Sequence, residues 1–252
     1  MKTVNIVNRK GGVGKTAVAV HIAHLLRKHG KTLLIDLDYQ SHCAYHYGIP
    51  QENITSTSAQ IFNGSPPQPL DVKGISLLPA GEGLMDIRHK LANEIKREER
   101  VAQYLAKLDY DFCVLDTPSD FDVFVQNALM ASDLVIVPMQ PEGYPTVTVK
   151  FTWDILQEIK RIKPNMIAKI LITMFQSRVN SHSDVRSYIE KTYPGSIMKT
   201  VIPRSIFLQN AFLDKKLVTE YAQNHNLLDS LLDLEKEVIE LLKSTKAKTL
   251  KR

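Results

Sequence analysis

Residues 3–30 read TVNIVNRKGGVGKTAVAVHIAHLLRKHG. Thr3–Val7 is a short apolar run suited to a buried strand, and residues 17–29 hold no proline or glycine and suit a helix that ends at Gly30, a natural stop. Between them, Gly11, Gly12 and Gly14 let the backbone take positive φ and turn its N–H groups inward, where a helix N-terminus can cradle phosphate oxygens. Lys15 then reaches the β- and γ-phosphates of a nucleotide, and the Thr16 hydroxyl supplies a ligand for Mg²⁺. Strand, loop and helix follow in the order that such a loop requires. One departure from the pattern GxxxxGK[ST] is informative: Arg9 takes the place of the first glycine, and an additional lysine, Lys10, precedes the paired glycines.

Outward from this loop, Val-, Ile- and Leu-rich runs alternate with stretches of helical period, the pattern of βαβ units. Strands are expected at 3–7, 32–37, 75–79, 112–116, 133–138 and 167–173, with an edge strand at 197–201. Helices are expected at 15–29, 85–107, 121–131, 146–162, 183–193 and 227–243. Several strands are apolar on both faces, which predicts an α/β fold: one domain, residues 1–242, with a mostly parallel twisted sheet flanked by helices on both faces, and a basic, disordered tail at 243–252. The stretch NGSPPQPLD, residues 63–71, reads as a surface loop. The 252 residues are 44% hydrophobic and 23% charged, which excludes a fibrous or wholly disordered chain. No apolar run reaches the roughly 20 residues of a transmembrane helix, and nothing at the N-terminus resembles a signal peptide, so a cytoplasmic location is expected. Two cysteines, Cys43 and Cys113, are too few for a disulfide scaffold.

Carboxylates stand at two further strand ends. LLIDLDYQ places Asp36 and Asp38 two residues apart, on the same face, and FCVLD ends in Asp116. Acidic groups there face the crevice in which open α/β sheets bind ligands, and Asp116 suits Mg²⁺ coordination. Asp36 is equally well a structural group. Asp120 and Asp122 read as caps of the next helix. His42, Cys43 and His46 lack the further ligands of a zinc site and read as a solvated helix start, and residues 87–100, of mixed charge, read as an exposed helix face.

KGGVGKT resembles the deviant Walker A loop of the ParA and MinD family of P-loop ATPases. DLDYQ is similar to that family's DxDPQ, DTPS to D[TC]PP, VIVPMQPE to VIVPxQxE, and VIPRS to a segment containing IPR; together these span residues 3 to about 210. The resemblance implies an ATPase with ATP and Mg²⁺ as cofactors, slow until a partner and DNA stimulate it. In it Gly11, Gly12, Val13, Gly14, Lys15, Thr16 and Ala17 bind the nucleotide, Met174, Pro203 and Arg204 flank the base, and Thr16, Asp38 and Asp116 surround the metal. Lys10, Lys15 and Asp38 carry catalysis: Lys10 reaches the phosphates of a second subunit in an ATP-sandwich homodimer, and Asp38 positions the attacking water. Tyr39 stands where the family has proline, Gln176 where many members have aspartate, and Phe207 replaces an arginine that some members use on DNA.

Two downstream roles follow from the resemblance: partition of a plasmid or chromosome through nonspecific double-stranded DNA on the nucleoid, with a ParB-like activator, or a MinD-like role at a membrane or protein cargo. A metabolic amidoligase is a third possibility, which Lys10 disfavours. Leu227, Leu231, Leu234, Val238 and Leu241 form a helical apolar stripe, but the opposite face carries Asp229, Asp233, Glu235, Glu237 and Glu240, which an anionic bilayer repels, so packing on the protein itself is expected. Candidate DNA contacts are Arg178, Arg186, Lys191, Lys199, Lys215 and Lys216. The formal net charge is +5, and residues 243–252 hold five basic residues and no acid, so the body to residue 242 is formally neutral.

Overall fold

The computed structural model describes residues 1–81, 83–91, 94–142, 145–221 and 225–249. Eight strands, β1 (Lys2–Ile6), β2 (Thr32–Asp36), β3 (Leu70–Val72), β4 (Ile75–Leu78), β5 (Phe112–Asp116), β6 (Leu134–Met139), β7 (Ile167–Phe175) and β8 (Ile197–Pro203), form one sheet in the order β3-β4-β2-β5-β1-β6-β7-β8. Only β3 runs antiparallel to its neighbour; every other pairing is parallel. The helices are α1 (Lys15–Leu26), α2 (His42–His46), α3 (Ala59–Asn63), α4 (Gly83–Lys90), α5 (Arg100–Leu105), α6 (Val123–Ala131), α7 (Pro145–Ile162), α8 (Asn180–Thr192), α9 (Ile206–Leu213), α10 (Val218–Tyr221) and α11 (Asn226–Thr249).

The apolar strands distribute alternate residues to the two helical layers. Val4, Ile6, Leu34, Val114, Leu134 and Ile136 pack on α1 and α11. Their neighbours Leu33, Ile35, Cys113 and Leu115 pack under α3 to α6, and Val135 and Val137 pack with residues of α6, α7 and α8. The parallel, helix-covered sheet is thus as expected. Because β1 lies between β5 and β6 while β2 lies beyond β5, the loops after β1, β2 and β5 open on one crevice at the carboxyl end of the sheet.

The differences are local. The expected loop at 63–71 ends in strand β3, which forms a short hairpin with β4, and the expected helix at 85–107 is two helices. Helix α1 stops at Leu26, and Gly30 is not its left-handed cap: a Cβ there would fall on the Asp111 carboxyl group, which accepts a hydrogen bond from the Lys31 N–H at 2.8 Å. Glycine at 30 serves a close approach. The stripe of α11 packs on the protein as expected, with Leu242 rather than Leu241 fully buried. This helix continues past residue 243 to Thr249 because Thr245 is buried, its hydroxyl accepting from Lys2 Nζ at 2.5 Å. The disordered tail therefore does not begin at 243, and residues 250–252 lie outside the described residues. No described helix is long and apolar enough to cross a membrane.

Candidate functional site

Gly12 and Gly14 adopt φ of 73° and 89°, and Gly14 ends the loop directly before α1. Both need the conformation that glycine alone takes without strain. The loop is held on three sides: Asn8 donates to Pro138 O at 2.6 Å and accepts from the Lys10 N–H at 3.0 Å, Gln140 donates to Gly12 O at 3.1 Å, and Thr173 donates to Val13 O at 2.9 Å. Arg9 has no need to be glycine, since its φ is negative; its guanidinium lies 4.3 Å over the Phe151 ring of α7, and that ring packs edge-on against Phe121.

Lys15 is only 8% exposed, and its ammonium donates to Ser119 Oγ at 2.7 Å and to Lys10 O at 3.4 Å. Burial lowers its pKa, opposed by the nearby carboxylates of Asp116 and Asp38. Lys10 itself stands half-exposed at the rim of the loop.

Asp36 and Asp116 are direct neighbours in the β2–β5 register and are 0% and 1% exposed. Burial, then the charge of Asp116, raises the Asp36 pKa far above the usual range. The Asp36 carboxylate accepts from the N–H groups of Asp38 at 3.0 Å and Cys43 at 3.1 Å. Asp36 therefore shapes the turn after β2, and Asp38 lies two residues past the strand end and is half-exposed. Asp38 is still close enough to act on the charges of both Lys15 and Asp116.

Burial raises the Asp116 pKa to about 6, and the Thr16 hydroxyl beside it opposes that rise. Asp116 Oδ1 is buried without a hydrogen-bond partner among the described residues. An orphaned carboxylate oxygen next to a hydroxyl, below a phosphate cradle, is a donor set that fits Mg²⁺. Asp36, Cys43 and Asp116 also bring ligand atoms within 4.8 Å of one another. Burial holds the Cys43 thiol protonated, however, and it donates to Asp116 Oδ2 at 3.5 Å. His42 opens α2 and is exposed, as expected of a solvated helix start, while Cys43 and His46 turn inward and are buried. Asp122 caps α6 by accepting from the N–H groups of Phe124 and Val125, as expected, while Asp120 lies 3.6 Å from Arg88.

Beside the loop, a pocket is lined by Val13, Gly14, Ala17, Met174, Pro203 and Arg204, so the structure gathers the expected base-side residues in one place. Met174 sits at φ 53°, where the β7–β8 register shifts, and its sulfur meets the Gln140 amide. Arg204 is fixed by its N–H to Phe175 O at 3.0 Å and its guanidinium to Glu142 at 3.1 Å. The far wall is His21 with Leu208, Leu227 and Leu231, which no sequence signal assigned to it. Of the candidate DNA contacts, Arg186, Lys191 and Lys199 line one groove between α8 and β8, together with Glu190. Arg178 is exposed in the turn after β7; Lys215 and Lys216 follow α9, with Lys215 Nζ 5.2 Å over the Tyr45 ring of α2.

Residues 1–172 match the model of a family described as an AAA domain. The chain is 29% identical to the chromosome partitioning protein ParA of Myxococcus xanthus, over 94% of this chain and 88% of that one. It is 30% identical to the sporulation initiation inhibitor protein Soj of Bacillus subtilis, over 94% and 98%. Among solved structures, cobyrinic acid a,c-diamide synthase of Mycobacterium smegmatis with bound ATP analogue and magnesium superposes with a TM-score of 0.75 at 27% identity, over 82% of this chain and 86% of that one.

Proposed function

The chain belongs to the ParA and Soj family of P-loop ATPases, and from that premise we propose that it is a Mg²⁺-dependent ATPase that works as a dimer in DNA partition. One observation carries the reading. Lys15 is buried and engaged by Ser119 and the Lys10 carbonyl, whereas the Lys10 side chain is half-exposed, where a second subunit can meet it. A cation brought across an interface onto a neighbouring phosphate stabilises the charge that develops as the γ-phosphoryl group transfers. Lys15 and the backbone N–H groups of residues 11–16 hold the phosphates. Thr16 and Asp116 hold the metal, which neutralises phosphate charge when bound. Asp38, beside both Lys15 and Asp116, positions the attacking water. Met174, Pro203 and Arg204 border the base.

The dimer then presents basic residues to DNA without reading its sequence, Arg186, Lys191 and Lys199 being the three that share a surface groove. A ParB-like activator accelerates hydrolysis and releases the dimer, which places the protein on the nucleoid. The test is a filter assay of a nonspecific duplex with and without ATP across a salt series. Binding that requires ATP, falls steeply with salt and disappears in Lys10→Ala is the expected result. No duplex binding, with turnover driven instead by a small amide-accepting acid, would replace partition by the amidoligase reading.

A further inference from the structure

A surface groove opens between the end of α1, the β3–β4 turn, α10 and the start of α11. Three cations rim it, Arg27, Lys28 and Lys73, against one carboxylate, Glu220. Lys73 is paired with Glu220 at 2.6 Å and Lys28 lies 3.7 Å from Glu235, but Arg27 has no carboxylate partner among the described residues. Its guanidinium instead lies 3.3 Å from His24 Nε2. A guanidinium can only donate, so Nε2 accepts and the neutral ring carries its proton on Nδ1. That Nδ1–H is buried with no partner, in a side chain 6% exposed, and the Thr219 hydroxyl in the same lining is also buried and unpartnered. Burial and the Arg27 charge keep His24 neutral, its pKa lowered to about 4. Two buried donors under a cationic rim lack only acceptor oxygens.

We propose that this groove is a binding site for a small phosphate-bearing ligand, its oxygens bridging Arg27 to the His24 Nδ1–H and the Thr219 hydroxyl. Arg27, the one rim cation without a carboxylate partner among the described residues, supplies the positive charge that the phosphate oxygens meet, and the two buried donors below it supply the hydrogen bonds. Leu228 and Leu232 supply an apolar wall for the organic part of an ester. The site is separate from the phosphate loop, and nothing in its geometry depends on the nucleotide reading.

Inorganic phosphate titrated calorimetrically into the full chain, with the phosphate loop first saturated by ADP and Mg²⁺, tests this. The ADP heat is measured separately, so its absence counts against the nucleotide site alone. A further saturable phosphate site is expected, weakened at least tenfold in both Arg27→Gln, an exposed position, and Thr219→Val, which keeps the side chain's shape. Glycerol 2-phosphate distinguishes the source: tighter binding than phosphate assigns an ester, weaker binding the free ion. No saturable binding in the ADP-bound protein, equal affinity in both variants, or displacement of the phosphate by a duplex oligonucleotide would each overturn the proposal.

Discussion

In the proposed site, residues 10–16 and the carboxylates of Asp38 and Asp116 make the phosphate half, whereas the base half takes Thr173, Met174, Pro203, Leu208 and Leu231 from separate parts of the chain and shares Val13 with the loop. The first is a local, charged construction whose groups are desolvated against one another: a lowered lysine pKa beside raised carboxyl pKa values. The second is a shape, closed when α9 and α11 pack over α1. Charge placed by a loop fails abruptly when one group is removed, and a wall built by packing fails by degrees. Removal of Lys15 is the largest test. Lys15→Gln deletes the cation facing the carboxylates of Asp116 and Asp38, and single-turnover hydrolysis should fall by about a thousandfold or more. Equilibrium binding of adenosine, which needs only the base half, should change little; equal losses in both would show that the halves are not separable.

The two halves also answer to pH with opposite sign. His46 lies in the layer behind the base pocket, its ring 4.6 Å from Phe212 and 6.4 Å from His21, and burial lowers its pKa to about 3. Below about pH 6.5 the unfolded chain binds a proton that the folded chain refuses, so this contribution is complete above 6.5 and is lost as pH falls toward 3. Acid unfolding should weaken by on the order of 3 kcal/mol in His46→Leu, read from urea midpoints at pH 7 and pH 4.5.

Asp116 acts the other way. With its folded pKa near 6, the protonated form is favoured in the fold, so its contribution is largest below about pH 4 and is lost as pH rises through 6. In nucleotide-free, metal-free protein, Asp116→Asn should remove a stability loss of about 2 kcal/mol between pH 4.5 and 7. With Mg²⁺ and ADP present that loss should vanish in the wild type, because the metal meets the charge that burial penalises.

How far each half was readable in the sequence follows from the same difference. Positive φ at Gly12 and Gly14 and the strand-end place of Asp116 are consequences of contiguous residues and match the expectation, whereas Gly11 does not take the positive φ expected of it and the burial of Lys15 carries no signal in the sequence. Ser119, which holds Lys15, lay in a segment noted only for its likeness to D[TC]PP. His21, Leu208, Leu227 and Leu231 could not be found that way: along the chain they read only as helix residues, and only the packing of α9 and α11 turns them to one cavity. Short helices α3, α9 and α10 were missed because four to eight residues carry too little period to detect, while α2 was legible only as a helix start at His42. Gly30 shows the converse, a residue rightly placed after a helix whose reason was a neighbouring carboxyl group and not the helix end.

Thr173 joins the halves, and it offers the smallest and sharpest test. Its hydroxyl, at the end of β7 in the base pocket, donates to Val13 O in the middle of the phosphate loop at 2.9 Å. Thr173→Val preserves volume and leaves one buried carbonyl unpaired, a cost of about 1 kcal/mol, or roughly fivefold in equilibrium terms. If the loop is set by its own glycines and Thr173 only seats the base wall against it, the fivefold falls on KM for ATP and kcat is unchanged. If instead the loop depends on β7 for its shape, the N–H groups that stabilise the transferring phosphoryl group move as well, and kcat falls with KM. Because Gln140 already holds Gly12 O and Asn8 holds the start of the loop, the first outcome is expected. A drop in kcat comparable to the rise in KM would mean that the phosphate half is not the self-contained construction that its contiguous residues imply.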